Sequence, residues 1–249
     1  MIFWLAAMTL CRRELVRFWR QKSRLLGVVA SPFLFWLILS FGAGGEAPRF
    51  FFPGTLVLTV MFSAIFSTIS IIEDRREGFL LSMLVSPAPR LSMVIGKILG
   101  SAVLAALQGI VLLVFAPLAG IVLTASIVAQ AALVLFFVSF ALSGLGFFIA
   151  WKFDSSQGYH AVMNLVLLPM WFVSGSIFAM ESAHGVMRAV MTANPLTYAN
   201  SALRRLLTPE AAAGEPELLL AIGVTAAFGA AMAVAAAWQA RHDNARSFA

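Results

Sequence analysis

Residues 127–150 read IVAQAALVLFFVSFALSGLGFFIA, a run with no charged side chain. As an α-helix it extends about 36 Å, more than the roughly 30 Å of a bilayer's hydrocarbon core. It has no polar side to turn towards water, so it cannot be the surface helix of a soluble domain. The rest of the chain has the same character. Of 249 residues 61% are hydrophobic and 11% charged, with a mean hydropathy of +0.94, against about a quarter charged in soluble domains. The expected fold class is an all-α integral membrane protein.

Working outward from that run, six stretches are long and apolar enough to span: 25–43, 52–72, 98–118, 127–150, 161–180 and 218–238. They give three units: an N-terminal segment 1–24, a six-span domain 25–238 and a C-terminal tail 239–249. Lys and Arg fix the orientation. With the N-terminus inside, six precede the first span, four fall in 73–97, one is Lys152 and two follow Trp238, leaving only Arg49, Arg188, Arg204 and Arg205 outside. Both termini are therefore expected in the cytoplasm, in the cell (inner) membrane. The same distribution explains the formal charge of +6 by topology, with no nucleic-acid partner. The N-terminus is apolar first and basic afterwards, the reverse of a cleaved signal peptide.

Arg13, Arg17, Arg20 and Arg24 recur at i, i+4, i+7 and i+11, with Leu15, Phe18 and Trp19 on another face. That spacing predicts an amphipathic helix lying along the cytoplasmic membrane surface, as an anchor to anionic lipid or also as a docking surface. The long loop 180–217 carries Val186, Met187, Val190 and Met191 at helical spacing, a pattern that folds partly back into the outer leaflet.

Sites for chemistry are not evident. The Walker A pattern G-x-x-x-x-G-K-[ST], which cradles phosphate, does not occur: Gly96-Lys97 is followed by Ile98. The three histidines are far apart, and Cys11 is the only cysteine, so a multi-cysteine metal site is excluded. No metal and no cofactor is expected on this chain, and no catalytic residue. The span centres are polar only at Gln108, Ser139, Ser143, Asn164, Ser174 and Ser176, which suit interhelical hydrogen bonds or a substrate lining. The GxxxG at 96–100 and the small face Ala226, Gly229, Ala230, Ala233 and Ala237 suit close packing, within the subunit or in a dimer.

The segment 73–90 is the most informative. Glu73, Asp74, Arg75, Arg76 and Glu77 cap the second span, Gly78 follows, and a short apolar helix containing Leu84 is stopped by Pro87 and Pro89 before Arg90. Together with FFPG at 51–54, IIEDRREGF at 71–79, LVSPAPR at 84–90, Gly96-Lys97 and NPLTY at 194–198 followed by Leu203-Arg204, it resembles the type-2 ATP-binding-cassette (ABC) export permeases, the group of bacterial drug, lipo-oligosaccharide and polysaccharide exporters. The resemblance covers nearly the whole chain. It implies a six-span half-transporter that pairs with a second copy or a paralogue and with separate ABC ATPase subunits, which bind the ATP and Mg. It also makes Glu73, Asp74, Arg75, Arg76, Glu77, Gly78, Leu84, Pro87 and Arg90 the ATPase-coupling interface, aided by the N-terminal helix with Arg13, Arg17, Arg20 and Arg24 and by a smaller contact at 151–160.

The aromatic residues of the first, second and fifth spans serve as membrane anchors or, for Phe62, Phe66 and Trp171 together with Asn164, as a substrate pathway. The implied function is export of a hydrophobic or amphipathic compound (drug, lipid or lipid-linked glycan). The competing readings are a secondary carrier or channel, for which a mid-span charge is missing, and a membrane scaffold without an ATPase.

Overall fold

A computed structural model of the chain describes residues 2–242, without the side chains of 22–25 and 84. The tail beyond His242 and the side chains of Arg24 and Leu84 therefore lie outside the described residues. Eleven α-helices run in the order α1 Ile2–Trp19, α2 Lys22–Ala43, α3 Ala47–Thr68, α4 Ser70–Arg76, α5 Phe79–Leu84, α6 Arg90–Leu113, α7 Ala125–Ala150, α8 Ser156–Trp171, α9 Gly185–Ala193, α10 Pro195–Leu207 and α11 Leu218–His242. Among the described residues there is no strand. In hydrocarbon a helix satisfies every backbone polar group within its own segment, which is why apolar runs of this length take no other form.

Among the described residues, five helices are long and apolar enough to cross a membrane: α2 from Leu26, α3 continued by α4 over Ala47–Arg76, α6, α7 and α11. The third span begins eight residues earlier than expected and ends five residues earlier. It starts at Arg90, directly after Pro89, so Gly96 and Lys97 lie inside α6 rather than in a loop; it ends at Leu113, and Ala116–Ala119 form a 3₁₀ turn closed by Gly120. The prolines mark this start better than hydropathy does, because Pro87 bars α5 from continuing and Pro89 is the cap residue from which α6 begins. The run 161–180 differs more. Helix α8 ends at Trp171, and Phe172–Ser176 open into a wide turn with Gly175 at φ 83°. The N-terminal helix also stops early, at Trp19. Arg20 lies beyond it and Arg24 belongs to α2, so the four arginines do not share one helix face.

Helix α3 is the centre of the packing. From Phe52 to Thr68 every residue except Phe62 and Phe66 is buried, because α2, α6, α7, α8 and α10 surround it. Small residues let the helices approach. A Cβ at Gly54 would lie 2.6 Å from Ser176 Cβ, one at Gly146 2.7 Å from Thr68 Oγ1, and one at Gly96 2.6 Å from the Ala7 carbonyl. Both small-residue motifs are thus used inside the subunit: Gly96 and Gly100 seat α1 on α6, and Gly229 packs α11 on Phe140 and Ala141 of α7.

Helices α9 and α10 fold the 180–217 loop onto the bundle. Asn194 caps α10 by accepting from Leu196 N, with Pro195 at the first helical position. Most of α10 is buried against α11, α7, α3 and the 172–176 turn.

Candidate functional site

At the end of the bundle where α4 and α5 lie, α1 crosses α6 with Ala7, Cys11, Glu14 and Phe18 turned inward. The i, i+4, i+7, i+11 spacing places these four on one stripe. Glu14 is the only acidic residue of α1 and is 3% exposed, facing Lys97 of α6 at 2% and Asp74 of α4 at 0%. Lys97 Nζ donates to Glu14 Oε1 at 2.9 Å and to Ser70 Oγ at 3.3 Å, and it pairs with Asp74 Oδ2 at 2.5 Å.

The other face of Asp74 is held by α1. Arg13 makes a bidentate pair with it, at 2.7 and 3.0 Å, while Arg17 Nη1 donates to Asp74 Oδ1 at 2.9 Å and Arg17 Nη2 to Glu73 Oε2 at 2.7 Å. Planar guanidinium groups suit two carboxylate oxygens at once, which explains arginine here and a point-charge lysine at the crowded centre. The hydrogen bond to Asp74 raises the pKa of Arg13, chiefly among several causes. Arg13 also stacks 3.7 Å over the Phe79 ring, drawing α5 into the junction. Removing buried charges from water is costly, so a pair without its partner would be strongly unfavourable. The cluster therefore ties α1, α4, α5 and α6 into one block.

A second set of bonds joins the two segments expected to meet an ATPase. Arg75 donates to the Trp151 carbonyl at 2.5 Å, the Phe153 carbonyl at 3.2 Å and Asp154 Oδ1 at 2.9 Å, and Arg76 Nε donates to the Asp154 carbonyl at 3.0 Å. Arg90 reaches the carbonyls of Ala240 and Arg241 at 3.5 and 3.4 Å, at the end of α11. Gly78, at φ 73°, makes the sharp turn between α4 and α5 that only glycine adopts without strain. Arg76, Glu77, Gly78, Leu81, Ser82, Val85 and Pro87 remain exposed. Beside them, α1, α5 and the start of α6 enclose a groove of about 360 Å³ lined by Ile2, Leu5, Leu10, Phe79, Met83 and Met93.

The four pathway candidates divide. Phe62 and Phe66 are half-buried one turn apart on α3, and Phe66 packs edge-on against His160 of α8 at 5.0 Å. Asn164 is exposed one turn further along α8, so these three share a surface between α3 and α8. Trp171 does not belong with them. It is 2% exposed, and its indole N–H donates to the Gly54 carbonyl at 2.7 Å, a structural bond that locks α8 to α3.

At the opposite end, Arg204 is fully buried. It pairs with Glu215, donates to the Gly175 carbonyl at 2.7 Å and the Phe50 carbonyl at 3.3 Å, and lies 4.3 Å over the Phe50 ring. It thus joins α10, the 172–176 turn and the start of α3. Among the described residues no group of three or more His, Cys, Asp or Glu is arranged to hold a metal.

Glu14 and the Arg204–Glu215 pair are not singled out by their chemistry in the sequence, and Lys97 enters it as a loop charge and as part of the family resemblance, without a partner. A lone acid on an apolar helical stripe, and a lone lysine inside an apolar run, are the signals that could have found Glu14 and Lys97, since a charge in such a setting needs a partner. Arg204 and Glu215 are eleven residues apart in a loop and leave no comparable signature.

The sequence matches the ABC-2 type transporter family over residues 6–208. A protein described as a transport permease, ycf38, of Cyanophora paradoxa is 27% identical over 213 residues, 79% of this chain and 72% of its own. The daunorubicin resistance ABC transporter permease protein DrrB1 of Streptomyces coeruleorubidus is 24% identical over 238 residues, 90% of this chain and 83% of its own. With a match across most of its length and several apolar helices long enough to span, this multi-pass transport permease belongs to the ABC-2 type transporter family.

Proposed function

We propose that this chain is the transmembrane subunit of an ABC exporter, moving a hydrophobic or amphipathic compound (drug, lipid or lipid-linked glycan) out of the cytoplasm or inner leaflet. ATP is hydrolysed with Mg on a separate ATPase subunit. The observation that carries this reading is the charged junction: Glu14, Asp74 and Lys97 join α1, α4 and α6, Arg75 and Arg76 hold the 151–154 loop, and α5 and its C-cap present Leu81 and Val85 outward. A push on α5 is then delivered to α3 and α6 as one body, which is what coupling to an external motor requires.

In this reading the α4–α5 end is cytoplasmic, both termini lie on that side of the cell (inner) membrane, and α8 is the sixth crossing. Its sixteen residues reach about 24 Å at helical rise, and the wide turn of 172–176 covers the remainder of the roughly 30 Å hydrocarbon core. Arg76, Glu77, Gly78 and Pro87 meet the ATPase; Glu73, Asp74, Arg75, Arg13 and Arg17 position that surface from within, and Arg90 fixes it to α11. A second copy or paralogue completes the transporter, with the surface of Phe62, Phe66 and Asn164 on the pathway, and the exposed Arg12 of α1 and Arg20 just beyond it meet lipid headgroups. The drug-resistance name of the Streptomyces relative supports an amphipathic cargo.

The test is co-purification of the tagged chain in mild detergent, with identification of its partners and an ATPase assay. Recovery of a Walker-motif subunit in about equal amount supports the exporter; a folded preparation that recruits no ATPase, yet still moves or scaffolds its cargo, moves the reading to a carrier or scaffold.

A further inference from the structure

Helix α8 packs on α3, α7 and α10 through one stripe, with Tyr159, Met163, Leu167 and Trp171 buried. A second stripe, Gln157, Ala161, Asn164 and Leu168, recurs at i, i+4, i+7 and i+11, the spacing of a seam between two helices. On it Gln157, Ala161 and Asn164 are exposed and Leu168 is half-buried. Asn164 stands eight residues beyond Ser156, the first of α8, about 12 Å along the axis and near the middle of a crossing. On α2 and α7 the exposed polar side chains are satisfied by their own helix: Ser31 donates to the Gly27 carbonyl at 2.8 Å and Gln130 to Ser126 Oγ at 2.9 Å. Asn164 has no hydrogen bond among the described residues.

An amide held in hydrocarbon without a partner costs free energy comparable to a lost hydrogen bond or more, and acyl chains offer no partner. A second copy of the chain does. A twofold axis along the membrane normal brings identical residues of two copies to the same depth on parallel helices. An asparagine side chain carries both a donor and an acceptor, so two of them are self-complementary, each Nδ2 donating to the other's Oδ1. A single asparagine in the middle of a helix seam fixes the register and the number of helices that meet there. Ala161, three residues earlier on the same stripe, is small enough to let the two backbones approach.

We propose that α8 is the contact between two copies of this chain, held in register by a hydrogen-bonded pair of Asn164 amides. The inference rests on the reading that α8 crosses the bilayer and that a second copy completes the transporter, and it names the residue that joins the two. Phe62 and Phe66, half-buried on the neighbouring α3, then line the pathway beside the joint.

The test uses the full chain alone in lipid vesicles, with no ATPase, so its outcome does not depend on whether the chain exports. Copies carrying donor and acceptor fluorophores on terminal tags are diluted with lipid, and the energy transfer at each dilution gives the dissociation constant of the pair. Asn164→Leu should weaken pairing by about tenfold, the effect of losing a pair of hydrogen bonds made in hydrocarbon. Asn164 is exposed in the single chain, so this variant should fold, and only monodisperse preparations are scored. In a Cys11→Ala background, Asn164→Cys should be oxidised to a crosslinked dimer by copper phenanthroline, whereas Val234→Cys on α11, a position 68% exposed, should stay uncrosslinked. A pair whose affinity is unchanged by Asn164→Leu, crosslinking as ready from Val234→Cys as from Asn164→Cys, or a wild-type chain that stays monomeric overturns the proposal. Failure of the exporter reading shows instead in the co-purification test and would leave these results standing.

Discussion

Replacing Lys97 with methionine removes the buried cation that pairs with Glu14 at 2.9 Å and with Asp74 at 2.5 Å. Asp74 keeps the bidentate Arg13 and Arg17, but Glu14 keeps only a 3.4 Å approach from Arg13 while 3% exposed. The cost should therefore be close to that of a stranded buried charge, about 3–5 kcal/mol. Adding Glu14→Gln neutralises that charge at similar volume, so the Lys97→Met/Glu14→Gln double variant should recover at least about 2 kcal/mol, a coupling typical of residues in one ion-pair network. Thermal unfolding in detergent, followed by loss of the monodisperse peak, reads the effect. At about 2–4 °C per kcal/mol for a domain of this size, Lys97→Met should melt at least about 6 °C below wild type, with the double variant between the two. Additive losses, with the double variant below Lys97→Met, would refute the coupling of α1 to α6 through these charges.

Gly96→Ala forces α1 off α6, because the new Cβ meets the Ala7 carbonyl at 2.6 Å; a loss of about 1–3 kcal/mol is expected. Gly223→Ala meets nothing within 4 Å and should be neutral or slightly stabilising by the same melting assay. Cys11 is buried, and its thiol pKa is raised first by burial and then by the charge of Glu14. Less thiolate is present at any given pH, so maleimide should label wild type in mild detergent at pH 7 at least about tenfold more slowly than a Cys11→Ala/Ser82→Cys variant, with labelling restored in denaturant. Trp171→Phe loses the bond to the Gly54 carbonyl and should cost about 1–2 kcal/mol; transport per folded molecule should be unchanged if Trp171 is structural.

Much of the architecture was legible because the solvent writes it into the sequence: a span must be apolar along its whole length, so 127–150 and 218–238 are readable from composition alone. The start of α6 was not, since Arg90 to Lys97 includes two cations that hydropathy assigns to a loop, and only the partners Glu14 and Asp74 make Lys97 tolerable inside a helix. The break after Trp171 was equally hidden. Gly175 is a single glycine in an apolar run, and what holds it open is Arg204, donating to its carbonyl from twenty-nine residues away. The charged segment at 73–77 stands out in the sequence, yet hydropathy could not divide it into side chains turned inward and side chains left free. That division needs the packing of α1 on α4 and of the 151–154 loop on Arg75. It changes the choice of mutation, because Asp74 is wholly buried and its loss would confound folding with docking.

Leu81 and Val85 avoid that confusion, being exposed on and just after α5 and absent from the charged network. The most direct test of the account is ATP-dependent uptake of a fluorescent amphiphile into inside-out vesicles containing this chain and its ATPase, with Leu81→Asp/Val85→Asp compared with wild type at equal folded amount. The account predicts uptake by wild type that stops when the ATPase is inactivated, and uptake at least about tenfold lower in the variant with loss of the co-purifying ATPase, as expected when charges enter the apolar core of an interface. Undiminished uptake and an intact complex in the variant would contradict the assignment of α5 as the surface through which ATP hydrolysis drives transport.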